Sequence, residues 1–101
     1  MFQIIVDKIK QSFFEYLKSL GVSSASHKNY RSDLNHFSDW LILKVRSMGS
    51  SVETFSEAIP FLNPEVANEY KSHMSKENVS VKTINRRLST LRHLSRFLVS
   101  S

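Results

Sequence analysis

The sequence contains no cysteine, and it has only two glycines and two prolines among its 101 residues. The absence of cysteine excludes a disulfide scaffold, a cysteine-based zinc ribbon and thiol chemistry. Scarce glycine and proline argue against a turn-rich all-β fold. No stretch approaches the roughly eighteen unbroken apolar residues of a membrane span, and the short apolar N-terminus is unlike a secretory signal. We therefore expect a cytoplasmic protein built from helices.

The composition that is present describes one folded domain. Hydrophobic residues make up 41% of the chain and charged residues 23%, a balance that excludes disorder by composition and is sufficient for one core. We expect a single domain over residues 1–101. The last residues, Val99-Ser100-Ser101, form neither a helix cap nor a polar tail, which favours a domain that is part of a longer protein.

The net charge of +5 is distributed unevenly along the chain. Residues 1–77 contain nine basic and nine acidic residues, whereas residues 78–101 contain five basic residues and no acid. The five basic residues are Lys82, Arg86, Arg87, Arg92 and Arg96. A basic segment without acids indicates a polyanionic partner, and nucleic acid fits this pattern better than a membrane surface does.

Apolar residues recur every three or four positions in four segments, which predicts four amphipathic helices and an all-α, compact four-helix bundle. The stripe of the first helix consists of Val6, Ile9, Phe13, Leu17 and Leu20. This helix ends at Gly21, a residue free to adopt the positive φ of a helix C-terminus. The second helix is expected over residues 24–46, with Ser23 as its N-cap.

The second half of the chain begins with a segment of weak periodicity. Residues 47–63 contain a breaker cluster, acids and a proline, so we expect a loop with room for one short helical turn. Asn63 is suited to cap a third helix, because Pro64 is tolerated at the first helical position. That helix should end near Lys76, with Asn78 in its C-terminal turn and Ser80 capping a fourth helix of about nineteen residues.

The fourth predicted helix separates its apolar residues from its basic ones. If Ile84, Leu88 and Leu91 face the core, the helical repeat turns a polar set outward. That outward set consists of Lys82, Thr83, Arg86, Thr90 and His93. An α-helix fits the major groove of B-DNA, where lysine and arginine neutralise phosphates and arginine also pairs with guanine. The free N–H groups of the first turn add a place for a phosphate.

The start of the second predicted helix shows a weaker form of the same pattern. Its polar side chains point away from the apolar stripe, and they are Ser26, Lys28, Asn29 and Ser32. Taken alone, such a pattern is typical of an ordinary polar helix surface. Asp33 and Asp39 follow on the same helix and would repel phosphate if they faced it.

Two groups of residues form an ordered set that covers nearly the entire chain. The first group is residues 21–23, Ser26, residues 30–34, Phe37 and Trp40-Leu41, and the second is residues 80–92 and Phe97-Leu98. This set resembles the N-terminal core-binding domain of tyrosine recombinases, the group of phage integrases and Xer-type resolvases. Ser26 stands where threonine is commoner in that family, and Leu94-Ser95 stand where an aromatic residue is frequent.

The resemblance implies a SAM-like domain that forms half of a clamp around duplex DNA at a recombination core site. In the family, the second and fourth helices cross the major groove. Carried over by position, the DNA-facing residues are Ser26, Lys28, Asn29, Ser32, Lys82, Thr83, Arg86 and Thr90, with Arg87 reaching a flanking phosphate. The implied role is DNA integration or recombination. The implied partners are double-stranded DNA and other recombinase protomers, with no membrane and no small-molecule substrate.

The resemblance also implies that this chain is not itself an enzyme. The family's tyrosine nucleophile and its arginine, lysine and histidine helpers belong to a separate C-terminal domain, so no catalytic residue is expected here. Tyr16, Tyr30 and Tyr70 lie on or beside apolar stripes, which is typical of core residues. The four histidines lack metal-ligand spacing, so we expect neither a metal nor a cofactor.

Two other classes of function stay open. A helical interaction module of the SAM-like or death-domain type would bind proteins through its charged faces without binding DNA. A repressor-like helix-turn-helix protein is a third hypothesis, although the junction at Ser80 is short and the fourth helix is long for a recognition helix. A duplex affinity that falls steeply between about 50 and 200 mM salt separates DNA binding from protein binding.

Overall fold

The computed structural model describes residues 7–100, and within this range the protein is helical with no strand. The helices are α1 (Lys8–Ser19), α2 (Ser24–Ser47), α3 (Phe55–Ala58), α4 (Pro64–Lys76) and α5 (Val81–Ser100), and a 3-10 turn, Ile59–Phe61, follows α3. The predicted all-α fold is confirmed, but the described residues form five helices rather than four. Val6, which the periodicity assigns to the first helix, lies outside the described residues.

The additional helix, α3, is a single turn within residues 47–63, where a loop with room for one short helical turn is predicted. The Thr54 hydroxyl accepts a hydrogen bond from the Glu57 backbone N–H at 3.2 Å and so caps this single turn. Phe55 and Ala58 are both buried. Two apolar residues one turn apart are too few to give a periodic signal, so only their packing on the core identifies the helix.

Capping residues set the limits of the longer helices. The side chains of Ser23, Asn63 and Ser80 each accept a hydrogen bond from the backbone N–H three residues further on, at 2.8–3.2 Å. Gly21 and Asn78 have φ of 75° and 60°, the left-handed conformation that ends α1 and α4. The sequence predicts all five of these residues at helix ends, and the structure confirms them.

The core lies where α2, the longest helix, packs against α1, α3 and α5, while α5 also contacts α1 and α4. Its fully buried side chains include Phe13, Phe37, Tyr70 and Leu94. Leu20, which the sequence places on the α1 stripe, is 57% exposed because it is the C-cap of that helix. Within residues 7–100, no helix is long and apolar enough to cross a membrane.

The rotation of α5 about its axis differs from the predicted one. Ile84, Leu91 and Leu94 are buried as the inward stripe, while Leu88 is only half-buried. Relative to a stripe of Ile84, Leu88 and Leu91, the inward face formed by Ile84, Leu91 and Leu94 is turned by roughly 40°, given 3.6 residues per turn. Thr90 is consequently buried, and the prediction that it faces outward is wrong.

Candidate nucleic-acid interface

The N-terminal half of α2 and the middle of α5 border an open groove of about 240 Å³. Its lining consists of Ser26, Asn29, Tyr30 and Asp33 from α2 and of Arg86, Ser89 and Thr90 from α5. Four of the nine predicted DNA-facing residues therefore share one groove, namely Ser26, Asn29, Arg86 and Thr90. Apart from the Tyr30 ring, the lining is made of side chains that donate or accept hydrogen bonds.

Four other predicted residues lie outside this groove. Lys28, Ser32 and Lys82 are exposed, and their side chains have no partner within residues 7–100. Thr83 is half-buried, and its hydroxyl accepts a hydrogen bond from the Ser80 hydroxyl at 3.0 Å. Lys28 and Lys82 are thus available as phosphate-binding cations, whereas Thr83 is partly engaged at the start of α5.

A buried carboxylate lies at the base of the groove. The Asp33 side chain is only 1% exposed. It accepts hydrogen bonds from Arg86 Nε at 3.1 Å, from Arg86 Nη2 at 2.8 Å and from the Thr90 hydroxyl at 3.1 Å. A buried charge is tolerated when it is paired and hydrogen-bonded, so these three bonds account for the acid in this position. They also join α2 to α5 across the groove.

Arg86 therefore has two functions in the structure. Its Nε and Nη2 atoms hold Asp33, whereas Nη1 has no hydrogen-bond partner within the described part of the chain. The side chain is 47% exposed. Hydrogen bonds to the Asp33 carboxylate raise the pKa of Arg86, so the guanidinium remains charged. One edge of the guanidinium thus binds the protein, and the other faces solvent at the groove.

Arg87 turns into the protein rather than toward solvent. Its side chain is 18% exposed, and its Nε lies 3.9 Å from Asp33 Oδ1. Its Nη1 donates toward Met74 Sδ on α4 at 3.9 Å. This orientation differs from the predicted one, in which Arg87 reaches a flanking phosphate. The reason is the rotation of α5, which carries the residue after Arg86 into the packed interface.

Asp33 is the member of the site that sequence reasoning assigned only a repulsive role. The residue directly precedes Leu34 and lies four positions before Phe37, both of which are buried in the core. An aspartate with the same helical phase as an apolar stripe is turned toward the core. A buried aspartate is in turn expected to be paired with a cation. The signal that could have identified its partner is the excess of arginine on α5, where no acid on that helix competes for it.

The histidines, carboxylates and tyrosines are the remaining side chains that could bind a metal ion or act in chemistry. Within residues 7–100, no three histidine or carboxylate side chains lie close enough together to hold a metal ion. Tyr70 is fully buried, with its hydroxyl 2.7 Å from His36 Nδ1, and burial raises its pKa to about 12. Tyr16 and Tyr30 are partly buried against the core, so the predicted packing of all three tyrosines is confirmed.

The fold and the groove define a small α-helical domain with one basic helix beside a polar groove. Residues 11–101 match the family model described as Phage integrase, N-terminal SAM-like domain. The chain belongs to this family, as its resemblance to integrase N-terminal domains predicts. Comparisons with curated proteins and with solved structures found no match.

Proposed function

We propose that this domain binds double-stranded DNA as the non-catalytic N-terminal part of a tyrosine recombinase of the integrase type. In this proposal it forms half of a clamp around a recombination core site. Catalysis belongs to a separate domain of the parent enzyme, and other recombinase protomers are the protein partners. The family match supports the class, and the surface formed by α2 and α5 supports the ligand.

The single observation that carries the proposal is the pairing of a basic helix with a polar groove. Five basic residues and no acid occur in residues 78–101, and the open groove beside α5 is lined by hydrogen-bonding side chains. With its side chains an α-helix is about 10–12 Å wide, and the major groove of B-DNA is about 12 Å wide. A helix of this kind fits that groove with its cations near the phosphates.

The proposed contacts divide by chemistry. Lys28 and Lys82 are exposed cations with no partner among residues 7–100, and they are assigned to phosphates. Ser26 and Asn29 line the groove and are assigned to base edges, since the asparagine amide pairs with adenine by a donor and an acceptor. Ser32 and Thr83 add hydrogen bonds to the backbone of the duplex.

Arg86 is assigned to the centre of this surface through its outward nitrogen, Nη1. Arg87 and Thr90 are assigned a supporting role, because both contact Asp33 from inside the domain. Of the nine residues that the sequence predicts to face DNA, seven thus remain on the proposed contact surface.

The test compares the salt dependence of duplex binding in matched variants. Lys82→Ala and Lys28→Ala should each weaken binding to all duplexes alike. Each should also lower the slope of log affinity against log salt by about one, because one phosphate contact is lost. Lys71→Ala removes the same charge from α4, which does not line the groove, and should leave the slope unchanged. Fluorescence anisotropy from about 50 to 200 mM salt measures all four proteins.

Equal slopes in Lys82→Ala, Lys28→Ala and the wild type would move the interface away from α2 and α5. Duplex binding that is absent, or that does not respond to salt, would contradict DNA binding altogether. That second result would favour the helical protein-interaction module.

A further inference from the structure

We infer that Asp33 is a positioning residue of the DNA-binding surface, which holds Arg86 so that its free edge contacts bases rather than phosphates. The inference rests on the proposed function. It assigns an acidic residue, buried beneath the groove, to the discrimination between DNA sequences. Asp33 itself touches no DNA in this arrangement and acts only through Arg86.

The geometry makes Arg86 a fixed donor. Two hydrogen bonds of 2.8 and 3.1 Å join its guanidinium to one carboxylate, and that carboxylate is held from a second direction by the Thr90 hydroxyl. An arginine held at both Nε and Nη2 has lost most of its rotamer freedom before DNA arrives. Such preorganisation lowers the entropic cost of forming a specific hydrogen bond through Nη1.

Charge decides which acceptor this donor prefers. A phosphate oxygen bound to Nη1 would place a negative charge close to the Asp33 carboxylate on the other edge of the same guanidinium, and the two anions repel each other. A neutral acceptor on a base, such as guanine O6 or N7, avoids that repulsion. Arg87 lies 3.9 Å from the same carboxylate and offsets part of its charge, so the preference for a base rests on the fixed orientation of Arg86 as well as on this repulsion.

The arrangement also separates phosphate contacts from base contacts along the surface. Lys28 and Lys82, which have no partner in the described part of the chain, lie outside the groove. The groove contains one arginine, Arg86, that is already paired. Phosphates are therefore expected at the flanks and base edges at the centre. Contacts to phosphate position a duplex, and only contacts to bases or to DNA shape distinguish one sequence from another.

The experiment uses the 101-residue chain with two probes, one mixed-sequence duplex and a pool of random-sequence duplexes of about 30 base pairs, each long enough to hold the whole interface. Asp33→Asn frees Arg86 to take up a phosphate, so the salt slope should steepen by about 0.9 while base preference in the selected pool is lost. Asp39→Asn removes the same charge from an exposed position on α2 and should keep both the wild-type slope and the wild-type preference.

Two further variants distinguish a positioning role of Asp33 from an effect of Asp33 on folding alone. Arg86→Lys keeps the charge but cannot bond the carboxylate at two points, so base preference should be lost while the salt slope stays within about 0.3 of wild type. The double variant Asp33→Asn/Arg86→Gln replaces the ion pair by two amides. It should show the wild-type slope without the preference. A merely structural Asp33 would weaken binding to every duplex without steepening the slope.

The outcomes that overturn the inference are distinct from those that overturn DNA binding. If Lys82→Ala and Lys28→Ala weaken binding but Asp33→Asn behaves like Asp39→Asn, only the positioning role is wrong. The same holds if the wild type binds duplexes without base preference. If Asp33→Asn does not fold, Arg86→Lys decides, since retained preference in that variant refutes the role. A wild type that binds no duplex overturns both proposals.

Discussion

Arg86→Ala is expected to destabilise the folded domain even in the absence of DNA. The substitution removes two hydrogen bonds of 2.8 and 3.1 Å to a carboxylate that is 1% exposed. Hydrogen bonds to charged groups contribute roughly 1.5–3 kcal/mol each, and breaking a fully buried ion pair costs about 3–5 kcal/mol. Because the Arg86 side chain is 47% exposed, solvent screening reduces the loss. We expect a decrease of about 2–3 kcal/mol in the free energy of unfolding.

Urea unfolding followed by far-ultraviolet circular dichroism measures this loss directly. For a domain of this size the decrease should lower Tm by about 10–20 °C in a thermal scan. Thr90→Val removes one hydroxyl bond to the same carboxylate, and it should cost about 1–2 kcal/mol. Lys82→Ala, on the same helix but without a partner in the described residues, is the control and should unfold at the wild-type midpoint.

The result that refutes this reasoning is a common midpoint for Arg86→Ala and Lys82→Ala. The pairing of Arg86 with Asp33 would then not hold α2 to α5 in solution. A larger loss in Thr90→Val than in Arg86→Ala would likewise contradict the assignment of the ion pair as the main connection between these helices.

Two further predictions concern groups whose titration is altered by folding. Asp7→Ala should cost about 1–2 kcal/mol in urea unfolding, because Asp7 caps α1 and accepts hydrogen bonds from Ser56 of α3. Burial raises the pKa of Asp7, but hydrogen bonds from Ser56 and Lys10 lower it by more, to below 3.8. The stabilisation by Asp7 is therefore present above about pH 4 and is lost as the pH falls through the pKa of the folded state. Tyr70→Phe should cost about 1 kcal/mol by losing the bond to His36. Because burial raises the pKa of Tyr70 to about 12, its contribution is complete below pH 10 and is lost as the pH rises toward 12, which an ultraviolet absorbance titration follows.

His36, which lies beside Tyr70, can be tested at acidic pH. Burial lowers the pKa of His36 below its ordinary value of 6.5, and the charge of Arg87 lowers it further. The stability gained by burying a neutral His36 is therefore fully present above pH 6.5, and it is lost as the pH falls through the pKa of the folded state. The stability of the wild type should fall as the pH drops below 6.5, and a curve that stays level there would contradict the burial of a neutral His36.

Local chemistry in the sequence predicts most of the fold. Ser23, Asn63 and Ser80 cap helices because their side chains reach backbone N–H groups three residues away, which requires no information from distant parts of the chain. Gly21 and Asn78 end helices for an equally local reason. The sequence allows one short helical turn in residues 47–63 but does not give its position, because a single turn has no period and forms where Phe55 packs onto the core.

The candidate site was predictable in its location but not in its connections. The uneven distribution of charge along the sequence identifies α5 as the basic helix, since an excess of basic residues and a lack of acids are properties of composition. The pairing of Arg86 with Asp33 joins residues 53 positions apart, and no periodicity along either helix encodes it. The burial of Thr90 also depends on how α5 is rotated against the core, which the packing of the other helices decides.

The sequence by itself therefore determines an all-helical domain, its helix ends, its basic segment and its resemblance to integrase N-terminal domains. Only the tertiary structure decides which basic residues are available to a ligand. Lys28 and Lys82 are exposed, Arg86 is shared between Asp33 and solvent, and Arg87 is turned inward. The physical reason is that the sequence gives the identity of each charged residue, whereas the effect of its charge depends on its burial and on the neighbouring charges in the folded structure.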